Sequence, residues 1–243
     1  VWRIPDGVSY LYKNDLMLLD FMASNDWTRA VYFTSLSDIK NVLGIDKYLH
    51  QEGLAHRFIP VLASDYHQDA GGVHIEGSYE LLMSDDIRWG NLNQPDVAVD
   101  PESRRNLLFV KQAYMRLAQA LVNRNQNDSA IAVLDKCQEF FPNEKIPYDL
   151  YMLAYPEIYY QAGAIEKGDE LINKIIDNCL DDLRYYESLD TKFISYYGEN
   201  IRENLAMINE MSNVAARAKR TELKMQLDNM LNQEFEKFYM HFE

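Results

Sequence analysis

The sequence predicts a mainly α fold, with helical hairpins and long C-terminal helices over residues 100–243 and a small α/β portion over 1–99. Three observations carry this. Beyond residue 100, apolar residues recur at steps of three and four almost without a break. Before it, β-branched and aromatic runs alternate with short polar stretches. Only 10 Gly and 7 Pro occur in 243 residues, too few for a loop-rich all-β fold. At 47% hydrophobic and 26% charged, the chain can bury a core.

Within residues 1–99, DLMLLDFMA (Asp15–Ala23) repeats at helical spacing through Leu16, Leu19 and Met22, with Asn14 as the expected N-cap. RAVYFTSL (Arg29–Leu36) reads as a strand. A short helix is expected over Asp46–Glu52, stopped by Gly53. AHRFIPVL (Ala55–Leu62) is a second strand; Pro60 cannot donate to a ladder, so the strand is an edge or ends there. Ser64–Gly77 is a polar loop, Ser78–Asp85 a helix and Arg88–Val99 irregular.

The helical portion opens with the stripe Leu107, Val110, Tyr114, Leu117, Leu121. A second stripe runs through Ala130, Leu134, Cys137 and Phe141, capped by Asp128 and ended by Pro142. The linker Asn123–Asn127 is short, so these helices pack antiparallel. Met152, Tyr155 and Tyr159 begin a further helix, Gly163 marks its turn, and Gly168, Ile172 and Ile175 belong to its partner. Ile194, Tyr197, Ile201, Leu205 and Ile208 form another stripe. Leu223, Leu227, Leu231, Phe235, Phe238 and Phe242 form the last, on a helix of about five turns.

Aligning Ala130 with Gly168 gives a period of 38 residues; a tetratricopeptide repeat has about 34. Tyr114, Leu117, Ala118, Leu121, Ala130, Leu134, Cys137 and Pro142 fall at that repeat's spacing, with Cys137 in a place usually held by Ala. The second hairpin departs further, with Pro156 at a small-residue position and Gly168 for Ala. The two long C-terminal helices lack the pattern and are expected to cap the stack. In this tetratricopeptide-like reading the first helices line a concave face for a polypeptide segment. Gln112, Met115, Gln119, Val122 and Asn123 face it from the first hairpin, and Leu150, Leu153, Glu157, Tyr160 and Gln161 from the second. The alternative is that the terminal helices fill this face.

Chemistry-bearing patterns are sparse. The chain carries 24 basic and 38 acidic residues, a net charge of −14, which argues against a nucleic-acid or anionic-membrane surface. No Gly-rich phosphate loop, nucleophile elbow or H-E-x-x-H occurs, and no cofactor is expected. Asp65, His67, Asp69, His74 and Glu76 are the densest polar cluster, a candidate metal site or a solvated acidic loop. His50, Glu52 and His56 are a weaker acid–base or metal candidate, with local hydrogen bonding as the alternative, since on a helix His50 and Glu52 would not share a face. Cys137 is expected in a helix–helix seam as a small hydrophobe; a disulfide with Cys179 is the alternative in an oxidising setting, where geometry is restrictive. Tyr159-Tyr160, Tyr185-Tyr186 and Tyr196-Tyr197 offer an aromatic ligand surface or, more commonly, place one ring in the core and one at its rim. No apolar run reaches a membrane span of about 20 residues. The opening VWRIPDGVSYLYKNDL reads as mid-protein sequence, so a fragment of a longer chain is expected.

Leu18–Val61 resembles a block in the tails of large bacterial membrane proteins whose multi-spanning region resembles protein O-mannosyltransferases. Those tails carry variants of N-x-W-x-R-P-[IV]-Y-F, matched by Asn25, Trp27, Arg29, Val31, Tyr32 and Phe33, with Ala30 replacing Pro. They also carry L-G-[LI]-x-x-Y-x-x-x-E-G-[LM]-A-x-R, matched by Leu43, Gly44, Ile45, Tyr48, Glu52, Gly53, Leu54, Ala55 and Arg57. Arg88, Trp89, Gly90, Asn91, Leu92, Pro95-Asp96-Val97 and Val133–Asp149 extend the match. The resemblance implies a periplasmic tail of an inner-membrane transferase using a polyprenyl-phosphate sugar, with no catalytic residue of its own. Its expected partners are a polypeptide segment or partner protein and its own membrane-spanning region. The Trp27 and Arg57 blocks would dock on that region, shape an acceptor or sugar site, or maintain the fold.

Overall fold

The computed structural model describes residues 6, 8–34, 44–62 and 71–239. The chain divides into two compact units, Val1–Arg88 and Trp89–Glu243. Its fold is mainly α with a small α/β portion.

The first unit opens with α1 (Lys13–Asn25). Its N-cap is Tyr12 rather than Asn14: the Asp15 carboxylate accepts the Tyr12 backbone N–H at 2.8 Å, and Asn14 lies inside the first turn. Four strands follow, β1 (Tyr32–Phe33), β2 (Leu49–Glu52), β3 (Ala55–Phe58) and β4 (Gly72–Val73), in the order β1-β3-β2-β4. β1 is shorter than the expected Arg29–Leu36, of which 35 and 36 lie outside the described residues. The helix expected over Asp46–Glu52 is a 3-10 turn over Asp46–Tyr48 running into β2. Pairing decides this, because β2 bonds antiparallel to β3 and parallel to β4. Gly53 (φ +64°) is therefore not a helix stop; it holds the first central position of the two-residue turn joining β2 to β3. β3 ends before Pro60, as its missing N–H requires. α2 (Ile75–Leu82) starts earlier than expected, so His74 and Glu76 belong to its N-terminus and not to a loop. Val31, Ile45, Leu49 and Phe58 form the core, packed against Leu18, Leu19 and Met22 of α1.

The second unit contains α3 (Pro101–Asn123), α4 (Asn127–Phe140), α5 (Tyr155–Gln161), α6 (Ile165–Glu187), α7 (Thr191–Ile194), α8 (Gly198–Arg217) and α9 (Thr221–Phe238). Asp100 caps α3 with Pro101 at its first position. Gln126, not Asp128, precedes α4; Asp128 sits in its first turn, where the helix dipole favours a carboxylate. A 3-10 turn over Leu150–Met152, capped by Asp149, leads into α5, which starts at Tyr155 because Pro156 fits only a first turn. The stripe from Ile194 to Ile208 is split, with Ile194 in α7 and Tyr197 preceding α8. Phe242 lies outside the described residues.

These helices form three consecutive hairpins, α3 with α4, α5 with α6, and α8 with α9; α4 packs on α5, and α6 on α8. The long C-terminal helices thus make a third hairpin. At the α5–α6 crossing, a Cβ on Gly168 would lie 2.5 Å from the Tyr160 ring. Tyr160 occupies the room a β-carbon needs, which is why glycine stands at 168. Tyr155, fully buried, donates its hydroxyl to the Lys111 carbonyl at 2.7 Å and lies 3.2 Å from the Cys137 sulfur. A small residue at 137 leaves space for that ring. Trp89 packs against Phe141 with centroids 5.3 Å apart.

Candidate functional site

The first helices of the three hairpins enclose an open pocket of about 300 Å³. Gln112 and Met115 come from α3, and Glu210 from α8. Leu150, Tyr151, Leu153, Ala154 and Glu157 come from the turn before α5 and from α5 itself. Every lining residue thus lies on a first helix or the turn leading into one. Leu150 and Tyr151 remain 43% and 39% exposed, although both are large apolar or aromatic side chains.

Of the groove residues predicted from sequence, the structure brings together Gln112, Met115, Leu150, Leu153 and Glu157. Gln119 and Gln161 lie alongside them on α3 and α5, joined at 2.9 Å, and Gln119 also donates to Asn123 at 3.2 Å. Val122 is half-buried and Asn123 exposed near the end of α3. Tyr160 is not part of the pocket: its ring lies over Gly168 and its hydroxyl donates to Asp169 at 2.7 Å, between α5 and α6. Tyr151, Ala154 and Glu210 escaped the sequence reading. The 3-10 turn rotates Tyr151 and Ala154 into line, and Glu210 enters because α8 continues the stack. The signal for that was the short polar link 218–220 between two amphipathic stretches.

Charge closes one wall. Arg217 donates a fork to Glu157 at 3.1 and 2.8 Å and a third bond to Glu210 at 2.9 Å. These bonds hold its guanidinium well above the usual arginine range, with Glu157 the largest cause. A neighbouring network holds α5, α6 and the start of α9 together, with Arg220 and the Tyr160 hydroxyl both on Asp169. On α3 beside Gln112, Lys111 is 1% exposed and has no hydrogen-bond partner for its ammonium among the described residues. Burial lowers its pKa, opposed by the Asp149 carboxylate 3.9 Å away. Burial also pushes the Cys137 and Cys179 thiols up to about 12; both are free and buried.

A second hollow of about 360 Å³ involves α4, α6 and the segment between α4 and α5. It is polar, and the Asp135–Lys167 ion pair spans it at 2.5 Å. Two of the tyrosine pairs place one ring in the core: Tyr159 is buried beside half-buried Tyr160, and Tyr186 is buried beside Tyr185, 55% exposed; in the third, Tyr197 is half-buried and Tyr196 is 79% exposed.

In the first unit, the sheet gathers several motif residues. Strand pairing sets Tyr32 opposite Arg57 and Arg57 opposite His50, and Glu52 shares their face two residues along β2. His50 and Glu52 therefore do share a face, because the segment is a strand; His56 points to the other. Glu52 accepts the Tyr32 hydroxyl at 2.6 Å, with Arg57 at 3.6 Å and His74 at 3.8 Å. The Glu52 bond raises the Tyr32 pKa. Trp27, 54% exposed in left-handed backbone (φ +57°), stacks on Phe58 at 5.4 Å. Arg29 is exposed and its carbonyl accepts from Asn25 at 2.8 Å; Arg88 is exposed. Asp65, His67 and Asp69 lie outside the described residues, as does Leu43. Among the described residues no group of three His, Cys, Asp or Glu could hold a metal, and no helix is long and apolar enough to cross a membrane.

No curated protein and no solved structure is significantly similar to the chain. A family model, TMEM260-associated domain 2, matches residues 2–76, under a third of the 243 residues. TMEM260 is a protein O-mannosyltransferase-like membrane protein. The matched stretch holds Trp27, Arg29, Tyr32, Glu52, Gly53 and Arg57, so the polar sheet face lies in the part of the chain similar to a domain associated with such a protein.

Proposed function

We propose that the chain is a non-catalytic accessory part of a membrane glycosyltransferase-like protein, and that its helical groove holds and orients a polypeptide acceptor segment. The observation that carries the reading is the open pocket lined by residues of the first helices of three stacked hairpins and of the turn before α5, with Leu150 and Tyr151 left exposed at it and Met115 and Leu153 only half-buried. A stack of this kind, tetratricopeptide-like in its hairpin order, offers a preformed concave surface, so the bound segment orders but the groove does not have to. The similarity of residues 2–76 to a TMEM260-associated domain supports the transferase setting. In that setting the chain faces the periplasm and docks on its own membrane-spanning region. In this reading the chain supplies binding and orientation, and the chemistry belongs to the membrane-spanning region.

A peptide array probed with the folded chain tests the reading. Binding is expected, and Leu153→Asp, which puts a charge on the apolar floor, is expected to abolish it without unfolding the helices. Binding unchanged by that substitution, or no binding by the folded wild-type chain, would overturn it. A second reading rests on the Tyr32–Glu52–Arg57–His74 face, whose mixed donors and acceptor suit a sugar. It requires that Glu52→Gln weaken binding of a monosaccharide titrated against the chain; no interaction with any sugar tried would discard it.

A further inference from the structure

We infer that the segment held in the groove carries a bulky apolar side chain beside a lysine or arginine; this rests on the polypeptide-binding reading and specifies its ligand. The floor of the pocket is apolar, formed by Met115, Leu153 and Ala154, with Leu150 and Tyr151 standing open at its edge. That floor suits one large aliphatic or aromatic side chain and gives it nothing polar to desolvate. The wall beside it is different. Glu157 and Glu210 both line the pocket, and the guanidinium they share, Arg217, is the cation that holds them. Two carboxylates against one cation leave one negative charge at the wall. Glu157 is fully engaged, since both of its oxygens accept from Arg217. Glu210 is not: one oxygen accepts from Arg217, and among the described residues the other accepts only a long 3.4 Å bond from the Asn213 amide. A cationic side chain laid over the apolar floor meets that second oxygen. An acidic segment meets net repulsion there and from a chain of net charge −14. Arg217 is half exposed, so its position within the pair is open to competition from a second cation.

The test uses fluorescein-labelled short peptides of Gly and Ser with a central Leu or Phe flanked by Arg, Ser or Asp, titrated against the full chain by anisotropy. The Arg-flanked series is expected to bind tightest and the Asp-flanked series weakest, with the difference shrinking as salt rises. Glu210→Gln keeps the Arg217–Glu157 fork and hence the hairpin contact. It is expected to weaken the Arg-flanked peptide about threefold and leave the Ser-flanked peptide unchanged. Arg217→Gln frees both carboxylates and is expected to shift affinity for the Arg-flanked peptide the other way, with circular dichroism confirming that the helices persist. Equal binding of the three series, or a Glu210→Gln effect common to all of them, would overturn the charge preference while leaving the groove as a peptide site. Failure of every peptide to bind the folded chain would overturn both.

Discussion

The Gly168–Tyr160 contact turns the hairpin geometry into a number. In Gly168→Ala the new methyl lies 2.5, 2.8 and 2.9 Å from three atoms of the Tyr160 ring, all well inside van der Waals contact. Either the ring moves or the α5–α6 crossing opens. Overpacking of this kind costs about 1–3 kcal/mol. Moving the ring also loosens the 2.7 Å bond from its hydroxyl to Asp169, worth about 1 kcal/mol. Against this, alanine gains about 1 kcal/mol over glycine inside a helix. The net expectation is a loss of about 1–3 kcal/mol, a fall in melting temperature of about 2–12 °C for a chain of this size, followed by far-ultraviolet circular dichroism. Tyr160→Ala supplies the control. On that background the methyl has nothing to strike, and Gly168→Ala is expected to be neutral or stabilising by about 1 kcal/mol. A Gly168→Ala chain as stable as wild type, or equally destabilised in both backgrounds, would refute the close crossing.

Other consequences are as direct. Lys111→Met is expected to raise the melting temperature, because it removes a buried ammonium that no described residue hydrogen-bonds while leaving Asp149, 40% exposed, to water; a lower melting temperature would contradict this. The same lysine sets a pH dependence. Its folded pKa is lowered, so between that value and about 10.4 the unfolded chain holds a proton the folded chain has lost, and stability rises with pH. Denaturant titrations should show this rise in wild type relative to Lys111→Met. Below the window the two slopes converge. Cys137 and Cys179, with thiols at about 12, should resist iodoacetamide in the folded chain at neutral pH and react once it is denatured. Rapid labelling of either in the folded chain would count against their burial.

The helical portion was legible because its rule is local. Leu107 to Leu121 and Ala130 to Phe141 each repeat over several turns, and the buried faces of α3 and α4 carry those residues. That period also located five lining residues of the pocket, since the side opposite a buried stripe must face outward. Three signals were weaker. Leu49–Glu52 is a strand only because β3 and β4 bond to it, and long-range pairing leaves little mark in four residues. Tyr151 enters the pocket through a single 3-10 turn, which has no apolar period to read. Glu210 needed α8 to be read as the first helix of a third hairpin, yet its stripe ran on through Ile194 and Tyr197 into a separate short helix. The Glu52 face was missed for a related reason: on a helix His50 and Glu52 diverge, on a strand they align.

The groove as a polypeptide site is tested most directly by amide chemical shifts of the full chain during titration with an Arg-flanked, Leu-centred peptide. Shifts are expected at Gln112, Met115, Leu153, Glu157 and Glu210, the residues that share the pocket. Shifts confined to the polar hollow at Asp135 and Lys174, or to the first unit, would contradict it.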